Sequence, residues 1–404
     1  MEIALIKTDE SNHCQRKKIL WVSLLLLDVQ LHKTTQLEIL KNLSERGYDT
    51  SLIAMRSKNM FQTKNSQVRI ISIPLRYIPI ISPIMFALAL LFFLPLYIII
   101  SKPDYIITDP DISIFSFLPM LPLFKFYKIK IVLDIRSIPV EITGIQGFLR
   151  NLFFIASVFI AKKLFDGITI ITFPMRQDVC EKYDINPKRV GVWSSGVSME
   201  LFNPEVHNSK DANLRRELGL TGKFVVLYHG IFSENRGLTE TIEAMSIVKR
   251  AKYNVVFFLL GTGPIVKSLK DMVHAKKLHD TVIIHDKVAY EEVPKYIAMS
   301  DVGIVPLPDH PYWRLQCPLK LLEYLAMKKV VVLTSIPAHQ TIIGKEMCGL
   351  YFSSINPIEI AKSIIYAYNN REKLEEWGLS GRKIVAKKYS WEKVAGDLET
   401  YLIC

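Results

Sequence analysis

Cysteine is scarce in this 404-residue chain and carries no pattern. Cys14, Cys180, Cys317, Cys348 and Cys404 form no CxxC pair and no metal-ligand spacing. That excludes a disulfide framework and a structural zinc site, and suits a reduced, cytosol-facing chain. The first residues, MEIALIKTDESNHCQRKK, lack the apolar core and small-residue cleavage site of a signal peptide, so export is not expected. Acidic residues are the minority: 39 Asp and Glu against 51 Lys and Arg leave a formal charge of +12, which favours anionic partners such as phosphate groups, nucleic acid or an acidic lipid surface. The basic residues are dispersed and no aromatic stacking motif accompanies them, which sets nucleic acid aside. Charge of either sign is missing altogether from residues 77–101.

What is present is apolar residue in quantity. Half of the chain is hydrophobic, ample for two cores, and the length predicts two domains of roughly 200 residues. KKILWVSLLLLDV reads as a buried strand, TTQLEILKNLSERG as a helix stopped by Gly47, and YDTSLIAMRS as the next strand. Further strands fit QVRIISIP, DYIITDP, KIKIVLDIRS and DGITIITFP. This βαβ alternation predicts a parallel, doubly wound sheet. A second series begins at Gly222 with KFVVLYHG, NVVFFLLGTG and TVIIHD, each followed by a helical pattern. The expected organisation is an α/β protein of two Rossmann-like domains, residues 1–195 and 222–385, joined by a linker at 196–221 and closed by a helix at 386–404. Two such domains would face a central cleft, the natural place for a ligand.

Residues 298–335 concentrate the chemistry. VGIVPLP is a strand ending in a proline-closed loop, PLKLLEYLAM is a helix with Pro318 where a helix can start, and KKVVVLTS is the next strand. A strand-loop-helix unit of this kind presents the helix N-terminus at the carboxyl edge of a parallel sheet, where phosphate binds. Lys320 and Glu323 stand at that helix start.

Several motifs together resemble a known family. In order, YHGIFSENRGLTETIEA, FFLLGTGP, YIAMSDVGIVPLP and PLKLLEYLAMKKVVV are similar to those of the GT-B glycosyltransferases, and within them to the large retaining group called family 4. SSGVSMELFNP resembles that family's interdomain signature, and KKYSWEKVAGDLETYL its closing helix, which crosses back onto the first domain. The first domain matches more loosely. The resemblance implies a nucleotide-sugar donor, no metal and no other cofactor. It implies that Glu323 binds ribose hydroxyls and that Arg236 replaces the family's diphosphate-binding lysine, a role its fork suits. Gly230, Gly261 and Gly263 would let backbone approach the donor, and Pro318, Leu319 and Lys320 would contribute from the helix start. At the end of a first-domain strand, Asp134 and Arg136 would contact the transferring sugar or the acceptor, or brace their loop.

There are departures. The family often carries a glutamate eight residues before Glu323 that touches the donor sugar; here Leu315 stands there, within DHPYWRLQC, leaving Asp309, Arg314 or Gln316 as substitutes. Ile231 occupies a position that is often basic. Asp109-Pro110-Asp111 looks like a metal-binding DxD but follows a strand in a GT-B-like context, and His229 reads as an interior histidine.

Residues 77–101 include MFALALLFFLPLYIII, long enough by count to span a bilayer, yet interrupted by Pro79, Pro83 and Pro95. FLPMLPLFKFYKIK and FLRNLFFIASVFIAKKLF add apolar faces near Lys125, Lys128, Lys130, Arg150, Lys162 and Lys163, the pattern of an interfacial surface on anionic lipid. The expected function is therefore a membrane-associated hexosyltransferase, peripheral or monotopic on the cytoplasmic side, acting on a lipid-linked acceptor or glycan precursor. The alternatives are a non-catalytic nucleotide-sugar-binding subunit and a GT-B-fold epimerase, for which no set of catalytic carboxylates stands out.

Overall fold

The structure, a computed structural model, describes residues 16–26, 33–56, 68–76, 78–139, 144–207 and 212–403. The N-terminal segment read against export lies outside them through residue 15, as do Cys14, Cys404, Tyr77 and residues 208–211 of the expected linker.

Thirteen described strands build two parallel sheets. The first contains β1 (Lys18–Leu26), β2 (Asp49–Arg56), β3 (Arg69–Pro74), β4 (Tyr105–Thr108), β5 (Lys130–Ile135), β6 (Gly167–Ile170) and β7 (Val190–Val192). Their order is β3-β2-β1-β4-β5-β6-β7. The second contains β8 (Phe224–Ile231), β9 (Val255–Thr262), β10 (Val282–His285), β11 (Val302–Val305), β12 (Val330–Thr334) and β13 (Gly349–Phe352), in the order β10-β9-β8-β11-β12-β13. Central strands such as β4, β11 and β12 are buried at every residue, because helices cover both faces of a parallel sheet and leave no solvated side. The α/β architecture with two Rossmann-like sheets is the expected one. Two strands, β7 and β13, escaped the sequence reading: both are partly solvated edge strands of only 3 and 4 residues, each containing a glycine, too short to stand out.

The chain divides into two compact units, Met1–Asp134 with Leu152–Asp166, and Ile135–Asn151 with Gly167–Cys404. This division differs from a break at the expected linker because β6 and β7 join the second unit. The helix Trp391–Ile403 explains why. Its Tyr401 hydroxyl donates to the Arg189 carbonyl at 2.7 Å and accepts from the Ile168 amide at 3.0 Å. The Tyr401 ring lies where a side chain at Gly167 or Gly191 would stand, and the Trp391 ring fills the same space at Gly196. The C-terminal helix thus returns to strands of the first sheet.

In the second unit, one core cluster fills one face of the sheet, with Val226, Tyr228, Phe257, Ile304 and Val332 among its buried members. Strand β8 pairs with β9 on one side and β11 on the other. The strand order therefore reverses beside β8, and the carboxyl ends of β8 and β11 flank the crevice where open α/β sheets bind ligands.

Candidate functional site

At that reversal the end of β8 carries Tyr228, His229 and Gly230. The helix Leu319–Ala326 follows β11 and begins at Pro318, whose extended backbone stops the helix from running further back. Tyr324 of this helix packs on β11 because Gly303 has no side chain; a Cβ there would lie 2.5 Å from the ring. The Tyr324 hydroxyl donates to the Leu227 carbonyl at 2.8 Å and accepts from the His229 amide at 3.2 Å. One turn of helix is thereby pinned to the end of β8.

Glu323 is consequently buried, 4 % exposed. Its Oε1 accepts the Tyr290 hydroxyl at 2.9 Å, and its Oε2 lies 3.3 Å from His229 Nε2. Burial pushes the carboxyl up to about 7, against the pull of the Tyr290 hydrogen bond and of Lys320. Burial, reinforced by Lys320, pushes His229 down to about 3. The imidazole is therefore neutral, and the contact is not an ion pair.

Lys320 Nζ is enclosed, has no hydrogen-bond acceptor among the described residues, and stands 3.7 Å from the centroid of the Tyr228 ring. Burial and the nearby Arg236 lower its pKa well below the usual lysine range, with Glu323 opposing. Such an amine, without an acceptor among the described residues, suits an anion, whose charge would favour its protonated form. Gly230 leaves the space beside it: a Cβ there would come within 3.3 Å of Nζ.

Arg236 sits in the loop after β8, its Nε donating to Ser233 Oγ at 2.9 Å. Its guanidinium carbon is 5.1 Å from the Trp313 ring centroid, and the Trp313 indole N–H donates to the Asn235 carbonyl at 3.1 Å. Gly237 follows with φ 66° and caps the helix Leu238–Arg250. A Cβ there would collide with the Pro306 carbonyl after β11, so this position requires glycine on both counts. Gly261 and Gly263 similarly lie against the carbonyls of Gly230 and Phe232, drawing the end of β9 against the end of β8.

The loop 309–317 is well tied. Asp309 and Arg314 form a two-pronged pair at 2.6 and 2.8 Å. The Leu315 carbonyl accepts Thr172 Oγ1 at 2.7 Å, and Ser194 Oγ lies 3.3 Å from Cys317 Sγ. Gln316 Nε2 is buried without an acceptor among the described residues.

The structure thus brings Gly230, Arg236, Gly261, Gly263, Pro318, Leu319, Lys320 and Glu323 to one end of one sheet. Arg136 is in the same unit, but its guanidinium donates to the Trp193 and Ser194 carbonyls at 2.9 and 3.2 Å and stacks 3.7 Å from the Trp193 ring centroid. Asp134 is fully buried on β5 in the other unit. Asp109, also in that unit, is engaged by Trp21, Ser23 and Gln36. Among the described residues no group of three or more His, Cys, Asp or Glu is placed to hold a metal ion.

Sequence reasoning missed Tyr228, Tyr290, Gly303, Trp313 and Tyr324. Tyr324 adjoins Glu323 and Gly303 interrupts an otherwise branched apolar strand, which were readable signals. Tyr290 lies on a single turn, Tyr290–Glu292, 33 positions from its partner, and no local pattern marks it.

Residues 210–384 match the model of the family described as Glycosyl transferases group 1. An uncharacterized glycosyltransferase of Methanocaldococcus jannaschii is 22% identical over 57% of this chain and 58% of its own length. The alpha-D-kanosaminyltransferase of Streptomyces kanamyceticus is 23% identical over 57% of this chain and 58% of its own. The chain therefore spans 58% of the length of these curated relatives. Anabaena HepE, solved in complex with UDP and glucose, superposes with a TM-score of 0.73 over 96% of this chain and 100% of its own at 13% identity, a likeness of fold. The two-sheet fold is the one that solved glycosyltransferase structures share, and residues 210–384 are similar to the glycosyl transferases group 1 domain.

Proposed function

We propose that this chain moves a hexosyl group, with retention of configuration as in family 4, from a nucleotide-sugar donor to a lipid-linked or glycan-precursor acceptor at the cytoplasmic face of a membrane. The observation that carries this reading is the enclosed Lys320 side-chain nitrogen, without an acceptor among the described residues, between Arg236 and the Glu323–Tyr290–His229 cluster at the reversal point of the second sheet. A nucleoside diphosphate supplies what each member lacks: two phosphates for Lys320 and Arg236, and a ribose diol for Glu323. The UDP in the HepE structure supports a nucleotide donor of this kind.

In this mechanism the bond between the sugar C1 and the diphosphate oxygen breaks while the acceptor hydroxyl adds to the same face. The acceptor proton passes to the departing diphosphate. Arg236 and Lys320 stabilise the charge that develops on that leaving group, and because they are fixed beforehand no reorganisation is spent at the moment of reaction. The reading calls on no metal ion, since both cations needed by the diphosphate are side chains. Association with an anionic membrane, peripheral or monotopic, would bring the enzyme to a lipid-linked acceptor.

The test is to incubate the purified protein with a panel of nucleotide sugars and a lipid acceptor extract and to follow released nucleoside diphosphate. Release is expected with one donor, and its loss by at least a hundredfold in Arg236→Ala and in Glu323→Ala, with unfolding still cooperative. Full activity in both variants removes the site assignment; no release with any donor removes the transfer reading.

A further inference from the structure

The helix Ile81–Ser101 is apolar all round, yet only one of its stripes is covered. Ser82, Phe86, Leu90, Leu94 and Ile98, four apart along its whole length, are buried in the first unit. Part of that cover is the segment Ile112–Met120, whose Ser116 hydroxyl donates to the Ala87 carbonyl at 2.6 Å. The remaining circumference is bare: Phe92 is 74% exposed, Ile100 80% and Leu96 60%, and Phe126 on the helix Leu121–Tyr127 is 76% exposed. Residues 75–103 and 112–130 contain no carboxylate. Their cations include Lys102, Lys125 and Lys128, all exposed, and Lys102 Nζ lies 5.9 Å from the Tyr127 ring centroid. An apolar face flanked by exposed lysines, with Asp104 engaged by the Lys18 amide at 2.7 Å, is complementary to anionic headgroups over acyl chains. It is not complementary to a second copy of itself, which would set cation against cation.

Length alone would let these 21 residues cross a bilayer, but the connections forbid it. Strand β3 ends at Pro74 and β4 starts at Tyr105, so both ends of the helix are tethered by a few residues to one sheet. The C-terminal end is further held by Lys18 Nζ of β1, which donates to the Ser101 carbonyl at 2.8 Å. A crossing helix would have to strip its buried stripe from the fold along its entire length.

We propose that Ile81–Ser101 is an in-plane docking element: its outer face, with Phe126, sinks into one leaflet of an anionic membrane while its inner stripe stays in the first unit. This rests on the membrane association proposed above and adds its geometry.

The experiment uses the full chain with vesicles of phosphatidylcholine alone or with added phosphatidylglycerol. The wild type is expected to float with the anionic vesicles. The double variant Phe92→Glu/Leu96→Glu, changed only at exposed positions, should lose flotation while its unfolding midpoint holds. If the wild type floats with neither vesicle, membrane association itself falls. If both proteins float equally, the docking face falls while membrane association stands. If the wild type is a dimer without vesicles and the double variant a monomer, the face is a self-interface and the proposal is overturned. Topology is read by an impermeant maleimide on vesicle-bound Arg76→Cys and Lys102→Cys, each built with Cys14→Ser and Cys404→Ser. Labelling of both from outside is expected; protection of one marks a spanning helix and overturns the in-plane geometry.

Discussion

Glu323 is the residue on which the pH behaviour of the site turns. Its carboxyl, at about 7 in the folded chain against 4.5 unperturbed, holds a proton more readily when folded. That contribution to stability is present below about 4.5 and is lost as pH rises through 7. His229 acts in the opposite direction: its pKa is lowered from 6.5 to about 3, so its contribution is present above 6.5 and is lost as pH falls toward 3. Ribose hydroxyls donate more strongly to a carboxylate than to a carboxylic acid. Donor affinity should therefore rise as pH increases through about 7, by up to tenfold, and the rise should disappear in Glu323→Gln. Titration calorimetry across this range checks it; an identical slope in both proteins would assign the titration elsewhere.

The elements that aim these residues depend on side chains that are absent as much as on those present. Gly303 on β11 admits the Tyr324 ring, and Tyr324 in turn fixes the end of β8. Gly303→Ala should cost about 1–3 kcal/mol, the usual penalty for overpacking a closed core, and should weaken donor binding although residue 303 is not itself expected to touch the donor. Urea unfolding together with donor titration decides this, and unchanged stability would mean that the ring has room to move. At this scale the sequence was largely readable. Eleven strands announced themselves as apolar runs closed by turn residues, and Glu323, Lys320 and Arg236 stood at the ends of such runs. Tyr290 and Trp313 did not, because each reaches its partner across a long stretch of sequence, 33 positions for Tyr290 and 78 for Trp313. Arg136 shows the converse difficulty: a cation at the end of a strand suggests a ligand, whereas here two backbone carbonyls and an indole ring occupy it.

At the scale of the whole molecule, the two units do not coincide with the two halves of the chain. The helix Trp391–Ile403 is held to β6 and β7 by Tyr401, in a position that only glycines 167 and 191 leave open. Tyr401→Ala removes a large ring and leaves the Ile168 amide without its acceptor. A loss of about 3–5 kcal/mol is expected, by analogy with large-to-small aromatic substitutions, read from denaturant midpoints; a loss below about 1 kcal/mol would show that the helix packs without it.

The same contact sets an order of events during synthesis. The hydrogen bond between Ile168 and Tyr401 spans 233 positions, so a ribosome that has already delivered all seven strands of the first sheet has not yet delivered the helix that covers two of them. Until the helix Trp391–Ile403 emerges, β6 and β7 leave open the space at Gly167 and Gly191 that Tyr401 later fills. The early sheet therefore waits, incompletely covered, for a helix 233 positions further on, a long closure of the kind that slows folding.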